Sequence, residues 1–249
     1  MGEQVTDLPL LTILIAVPLI AGMLCLFVNA NAARWVALIA TLIDLALGSY
    51  LWAAFDPNGA QWQFVENLPL AGNISWALGI DGIALVLIML SVFLMPICIG
   101  ASWRAIDRRV PEYMAAFMLM EALMLGVFAA QDLFLFYVFF EGGLIPMYLI
   151  IGIWGGAERI KASYKFFLYT LLGSVLMLIA MIYMVIEAKT TSIPALMAYD
   201  FPVDAQKWLW LAFFASFAVK MPMWPVTPGC RTRTCRRRPL VRSSSPACC

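Results

Sequence analysis

Four ionisable side chains fall inside long apolar stretches of the sequence. They are Asp44, Glu121, Glu141 and Lys220. A charged residue near the centre of a bilayer costs about 2.5–3.5 kcal/mol on insertion scales, so such residues mark an ion or proton pathway by default. Carboxyl groups and an amine in that environment can accept and release hydrogen ions. The residue types therefore predict proton movement, although for Asp44 we favour a structural role because the sequence offers it no partner.

The composition places these residues in a membrane. Of 249 residues, 63% are hydrophobic and only 12% are charged, and the mean hydropathy is +0.89. Soluble domains carry about a quarter charged residues. With about 20 residues needed to cross the hydrocarbon, the sequence predicts an all-α, polytopic bundle of about seven spans. The predicted spans are 8–28, 33–55, 80–102, 112–130, 133–153, 163–187 and 206–226.

Basic residues predict the orientation. Lysine and arginine in short loops stay on the cytoplasmic side, and here they follow the first, third and fifth spans, whereas the alternate segments are acidic or neutral. We therefore predict that the N terminus lies outside. The basic residues are Arg34, then Arg104, Arg108 and Arg109, then Arg159, Lys161 and Lys165. The alternate segments carry Glu3, Asp7, Asp56, Glu66, Asp81 and Asp132, and then Glu187, Asp200 and Asp204 against Lys189 and Lys207.

Glu121 and Glu141 are expected at one depth. They lie about nine and ten residues from the short turn at 129–132, which at 1.5 Å per residue is roughly 15 Å into the membrane. Burial and a neighbouring negative charge both favour the protonated form of a carboxyl group. One of the two is therefore expected to hold a proton near neutral pH, with a structural polar contact as the alternative for Glu121.

Lys220 directly precedes a helix-breaking sequence, MPMWP. Pro222 and Pro225 each remove a backbone donor, and broken helices at membrane depth are where transporters build ion sites. An ammonium close to Glu141 would hold that glutamate ionised, and its withdrawal would let the glutamate take a proton. The alternative is a structural Glu141 bonded to a serine or a backbone carbonyl.

Other residues have simpler interpretations. Asp81 and Asp132 are expected to cap helices at span ends with help from interfacial solvation, and the Gly142–Gly143 pair with Pro146 predicts a local bend. The sequence has no histidine for haem, no cysteine spacing for an iron–sulfur cluster and no nucleotide-binding glycine loop. We therefore expect no cofactor and no metal in this chain, and Cys25 and Cys98 are interpreted as buried thiols.

Residues 227–249 differ in character from the rest. The first 226 residues carry fifteen acidic and ten basic side chains, whereas this tail contains six arginines and four cysteines. A patch for anionic lipid or nucleic acid would be expected to have aromatic residues between the charges, and a metal site would need a second cysteine pair. A one-base change of reading frame, with codons chosen to suit, converts the start of the tail into HTWLPDAH. We therefore predict that 227–249 is an out-of-frame, disordered segment.

Three blocks resemble one family. They are GIDGIALVLIMLSVFLMPICI at 79–99, LFLFYVFFEGGLIPMYLIIGIWGG at 133–156 and FAVKMPMWPV at 217–226. With the recovered HTWLPDAH, they resemble the subunit M, or chain 4, family of respiratory NADH:quinone oxidoreductase (complex I). The resemblance implies an antiporter-like fold of about fourteen helices built around two inverted five-helix repeats. Residues 1–111 would then hold helices 1–3, and 112–226 would be an incomplete first repeat ending in its broken helix.

The resemblance also implies a function. Glu141 matches the family's essential glutamate and Lys220 its broken-helix lysine, with Glu121 as a candidate relay. The expected function is proton translocation across the bacterial cytoplasmic membrane, coupled to electron transfer from NADH to quinone. NADH, FMN, iron–sulfur clusters and quinone would belong to other subunits. Expected partners are other membrane-arm subunits, especially antiporter-like neighbours, and the lipid bilayer, but not nucleic acid. The alternatives are a subunit of a multi-subunit Na+/H+ antiporter of the same fold, or a truncated remnant with only a structural role.

Overall fold

The computed structural model describes residues 9–71, 74–156 and 158–220, which form a helical bundle with one β-hairpin. Within these ranges, six segments are long and apolar enough to cross a membrane. They are Leu10–Phe27, Ala30–Ala54, Gly82–Ser102, Val110–Ala129, Leu133–Trp154 and Arg159–Ala188. They confirm the first six predicted spans. The elements are α1 (Leu10–Phe27), α2 (Ala30–Ala54), β1 (Gln63–Ala71), β2 (Ile74–Ile80), α3 (Gly82–Ser102), α4 (Val110–Ala129), α5 (Leu133–Gly142), α6 (Leu144–Trp154), α7 (Arg159–Ala188), α8 (Ile193–Met197) and α9 (Val203–Lys220).

The seventh predicted span, 206–226, is represented only in part. α9 forms over 18 residues, but it carries the charged residues Asp204, Lys207 and Lys220. Its described part is therefore more polar than the six membrane-spanning segments. Residues 221–226, with the two prolines expected to break this helix, lie outside the described residues, as does the predicted tail 227–249. Six of the about seven expected spans are thus confirmed, and the seventh stays a prediction.

A β-hairpin that the sequence analysis did not predict lies between α2 and α3. Its strands β1 and β2 pair antiparallel, with Leu68 opposite Trp76. The hairpin packs over one end of the bundle, where the Gln131 amide donates to the Ala77 carbonyl at 2.9 Å. A search for spans by hydropathy does not detect such a short, mixed segment.

Glu66 joins this hairpin to the first amide groups of α1. Its carboxylate accepts hydrogen bonds from the amides of Leu11 at 2.7 Å and Thr12 at 3.0 Å, and from the Thr12 hydroxyl at 2.5 Å. The Trp76 indole donates to that same hydroxyl at 3.0 Å. The first amides of a helix lack partners within the helix, and a negative charge is favourable there. Glu66 is therefore a buried cap rather than a surface charge.

The basic loops lie together at the other end of the bundle. The Arg34 guanidinium donates to the Ile106 carbonyl at 2.9 Å and lies 4.0 Å from the Asp107 carboxylate. The Trp154 indole donates to the Arg108 carbonyl at 2.8 Å. These bonds bring the segments after α1, α3 and α6 to one end, in agreement with the alternation in the sequence. Which end faces the cytoplasm stays a prediction.

The two aspartates expected to cap helices do so. Asp81 accepts from the Ala84 amide at 2.7 Å at the start of α3. Asp132 accepts from the amides of Phe134 and Leu135 at the start of α5. The expected interfacial solvation is wrong for Asp132, because this side chain is fully buried and its second oxygen accepts from the Thr191 hydroxyl at 2.5 Å.

Helix α4 is the centre of the bundle and packs against α1, α2, α3, α5 and α6. Close approach to α5 depends on Gly126, because a Cβ atom at this position would lie 2.7 Å from the ring of Phe139. Phe139 is itself buried and packs edge-on against Trp76 of the hairpin. Gly126 therefore sets the distance between the helices that carry Glu121 and Glu141.

We expect Glu66→Ala to lower the unfolding free energy by about 1–2 kcal/mol, because it removes a cap and leaves buried donors unpaired. The measurement is detergent-denaturant titration of the purified chain, followed by circular dichroism. Asn67→Ala, at an exposed neighbouring position, is the control and should leave the midpoint unchanged. Equal effects of the two substitutions would contradict the capping role.

Gly126→Ala should destabilise the chain by about 1–3 kcal/mol in the same assay, because the added methyl overpacks the α4–α5 contact. The control is Gly100→Ala on α3, where a Cβ atom meets nothing within 4 Å. That change should be neutral or stabilising, since alanine favours helix over glycine by up to about 1 kcal/mol. A neutral Gly126→Ala would show that the two helices are free to separate.

Candidate functional site

The site begins at a break in the fifth span. α5 ends at Gly142 and α6 begins at Leu144, with Gly143 between them. Pro146 has no amide hydrogen to donate to the carbonyl of Gly142, four residues earlier. A Cβ atom on Gly142 would lie 3.2 Å from Leu123 of α4, so the small residue also permits close packing. The bend expected from the glycines and the proline is confirmed, and Glu141 lies directly beside it.

The ammonium group of Lys220 contacts Phe140, the residue that precedes Glu141 in the sequence. Lys220 Nζ donates to the carbonyl oxygen of Phe140 at 2.8 Å and sits 3.2 Å from the centroid of the Phe140 ring. The ion pairs among the described residues are Arg34–Asp107 and Arg109–Glu112. Lys220 and Glu141 are therefore not in direct contact, although their charges interact.

The carboxylate of Glu141 is buried and free of hydrogen bonds. Neither Oε1 nor Oε2 has a partner within the described part of the chain. The alternative in which Glu141 is a structural residue bonded to a serine or a carbonyl thus finds no bond to support it there. A buried carboxylate without a donor is costly unless a nearby charge or a proton compensates for it.

Tyr137 and Ser174 are polar neighbours that the sequence analysis missed. The Tyr137 hydroxyl shares a hydrogen bond with Ser174 and interacts electrostatically with Glu141. Ser174 Oγ also donates to the Leu171 carbonyl of its own helix at 2.9 Å. Tyr137 precedes Glu141 by four residues on α5, and that spacing could have identified it, since such residues share a helix face.

Packing between α7 and α9 brings Lys220 to this place. A Cβ atom on Gly173 of α7 would lie 3.0 Å from Val219, so the glycine allows α9 to approach closely. Phe217 of α9 packs edge-on against Phe140, with ring centroids 5.8 Å apart. These contacts bring the last residue of α9 beside the break between α5 and α6.

Glu121 interacts with Asp44, and not with Glu141 as the equal membrane depth of the two glutamates had suggested. Its charge interacts with that of Asp44 on α2, and both side chains are almost completely buried, at 1% and 0% exposure. The structure thus divides the four ionisable residues into two groups. One contains Glu141 and Lys220, and the other contains Glu121 and Asp44. The relay role expected for Glu121 stays a prediction.

Two family models match adjoining parts of the chain. The model described as NADH-ubiquinone oxidoreductase chain 4, amino terminus, matches residues 10–130. The model described as NADH:quinone oxidoreductase/Mrp antiporter, transmembrane, matches residues 130–228. They meet at the turn between α4 and α5, so Asp44 and Glu121 fall in the first match and Glu141 and Lys220 in the second.

Similar proteins come from respiratory complexes. NADH-quinone oxidoreductase subunit M from Rhodobacter capsulatus is 50% identical over 87% of this chain and 46% of its own length. A chain of the respiratory complex I from Thermus thermophilus with bound NADH superposes with a TM-score of 0.77 at 29% identity, over 87% of this chain and 45% of that one. The present chain therefore spans just under half the length of these relatives.

The fold is also found in another type of assembly. A chain of the Mrp complex from a Dietzia species superposes with a TM-score of 0.74, over 84% of this chain and 23% of that one. The sequence identity is 19%, so this likeness shows the fold alone.

We expect Phe140→Leu and Lys220→Met to be coupled by about 0.5–2 kcal/mol in a double-mutant cycle, because the first removes the ring on which the ammonium rests. The measurement is the unfolding free energy of the two single variants and the double variant. Phe134→Leu, at an exposed position of the same helix, should be additive with Lys220→Met. Additivity of both pairs would contradict the contact between Lys220 and the Phe140 ring.

Proposed function

The chain belongs to the family of NADH-quinone oxidoreductase subunit M and chain 4 proteins, and on that premise we propose that it forms the N-terminal part of a proton-translocating subunit. The observation that carries the proposal is the buried, unbonded carboxylate of Glu141 with the Lys220 ammonium at the adjacent residue. A helix break inside the fifth span accompanies this arrangement.

Glu141 is the proposed proton carrier. When the Lys220 ammonium is close, its positive charge stabilises the ionised carboxylate. When the ammonium moves away, neither a nearby positive charge nor a hydrogen-bond donor among the described residues stabilises the carboxylate, and binding a proton becomes the favourable way to remove its charge. Alternation between these two conditions would load and unload one hydrogen ion.

The contacts of Lys220 suit a group that moves. One carbonyl and one ring face hold the ammonium, and neither is a formal negative charge. Contacts of this kind are individually modest.

Tyr137 is a proposed positioning residue. Its hydroxyl lies between Ser174 of α7 and the charge of Glu141 on its own helix. α7 also contacts α9 through Gly173. A shift of α9 would therefore change the positions of both Lys220 and Ser174 relative to the Glu141 carboxylate.

The energy source is proposed to lie in other subunits. In this account, oxidation of NADH and reduction of quinone take place in partners that hold the FMN and the iron–sulfur clusters. This chain contributes the response in the membrane arm, beside antiporter-like neighbours. The proposed location is the bacterial cytoplasmic membrane, with the N terminus on the outer side.

A subunit of a Na+/H+ antiporter is the second candidate, because the Mrp complex shares the fold. The 50% identity to a subunit M favours the first. Neighbouring genes would distinguish them: genes for an iron–sulfur, NADH-binding arm support complex I, and a compact antiporter operon supports the alternative.

In the complex assembled with a full-length subunit, Glu141→Gln should reduce proton translocation and coupled quinone reduction at least tenfold, because glutamine cannot bind and release a proton. The measurement is NADH-driven acidification of proteoliposomes. Glu112→Gln is the matched control, since Glu112 is exposed and pairs with Arg109. Normal proton translocation by the Glu141→Gln complex would contradict the assignment of Glu141 as the proton carrier.

A further inference from the structure

The described bundle contains a second pair of carboxyl groups that the proposed mechanism does not use. Asp44 lies near the middle of α2, and Glu121 lies near the middle of α4. The two helices pack against each other, and the two carboxyl groups are close enough for their charges to interact. Their exposed fractions are 0% and 1%.

The pair interrupts an otherwise apolar interior. On α2, Ala40 belongs to one buried apolar cluster and Leu51 to another. On α4, Met118 and Ala122 belong to the same two clusters. Asp44 and Glu121 thus lie between two apolar clusters, where neither carboxyl group has access to bulk water.

None of the four carboxyl oxygens has a hydrogen-bond partner within residues 9–71, 74–156 and 158–220. The nearest hydroxyl on the same face of α2 belongs to Thr41, and it donates to the Leu38 carbonyl of its own helix at 3.0 Å. The backbone-donor bonds that stabilise Glu66 and Asp132 elsewhere in the chain are therefore missing at this pair.

A positive charge does not face the pair from the neighbouring described elements. On α2 itself, Arg34 is engaged by Ile106 and Asp107 at the end of the bundle. The ionisable side chains on the other helices packed against α2 and α4 are Cys25 on α1, Cys98 on α3, Tyr137 and Glu141 on α5 and Tyr148 on α6. None of these groups is a cation.

Two negative charges cannot be stable in this position. Each would lose its hydration, and each would repel the other in a medium of low dielectric constant. A proton on one carboxyl group removes one charge and creates a donor for the other. We propose that Asp44 and Glu121 form a second proton-binding site, in which at least one of the two carboxyl groups holds a hydrogen ion at neutral pH.

This site goes beyond the proposed function, because holding a proton there is a property of the folded chain whether or not the chain transports protons. It also separates Glu121 from Glu141. The protonation of Glu121 would depend on Asp44 of α2, whereas that of Glu141 would depend on Lys220 of α9.

Infrared spectroscopy of the purified chain tests the proposal, because a protonated carboxyl group has a carbonyl stretch that a carboxylate lacks. The Glu141→Gln variant removes the contribution of the other site. At neutral pH, this variant should retain the band of at least one protonated carboxyl group per chain. Adding Asp44→Asn and Glu121→Gln should abolish that band, whereas adding the exposed pair Asp107→Asn and Glu112→Gln should leave it.

A band that persists undiminished after both amide substitutions would overturn the second proton-binding site. Loss of the band on Glu141→Gln alone would also overturn it, without bearing on proton transport. A second measurement uses the unmodified chain. Dicyclohexylcarbodiimide, which enters apolar sites and reacts with protonated carboxyl groups, should label Asp44 or Glu121, located by peptide mass mapping. Absence of label from both residues would contradict the proposal.

Discussion

A charged side chain in the interior of this bundle must be compensated by a partner, a dipole or a proton, because water does not reach it. Lys220 meets this requirement with a carbonyl oxygen and an aromatic ring. Glu141 meets it only through the nearby charge of Lys220, since its oxygens have no hydrogen-bond partner in the described chain. The proposed proton exchange follows from this difference. The Lys220 ammonium has direct contacts, whereas the Glu141 carboxylate is stabilised only by the electrostatic attraction of Lys220.

The scaffold produces this arrangement with small residues and one proline. Gly142 and Gly126 let α5 approach α4, Gly173 lets α9 approach α7, and Pro146 weakens the fifth span beside Glu141. Each of these features is local in sequence, but together they place Lys220 beside the break between α5 and α6. The β-hairpin lies at the end of the bundle where α1 begins, and its Glu66 caps that helix.

The sequence was a good guide to features that depend on local composition. It predicted the six spans that are confirmed, among the seven expected, together with the interruption near residue 143 and the two aspartate caps, because hydropathy, glycine, proline and capping residues act within a few positions. The hairpin was missed, since the burial of Glu66 depends on where α1 begins rather than on residues near Glu66 in the sequence. Depth along a helix placed Glu121 level with Glu141, but the rotation of α4, which packing decides, turned Glu121 towards Asp44.

The central claim is that Glu141 and Lys220 act through the attraction of opposite charges. A charge exchange in the full-length subunit, combining Glu141→Lys with Lys220→Glu, tests this claim most directly by proton translocation in proteoliposomes. The account predicts that each single substitution abolishes translocation, because it places two like charges together, and that the combined variant recovers a measurable part of it. A combined variant no better than either single variant, in a fully assembled complex, would contradict the account.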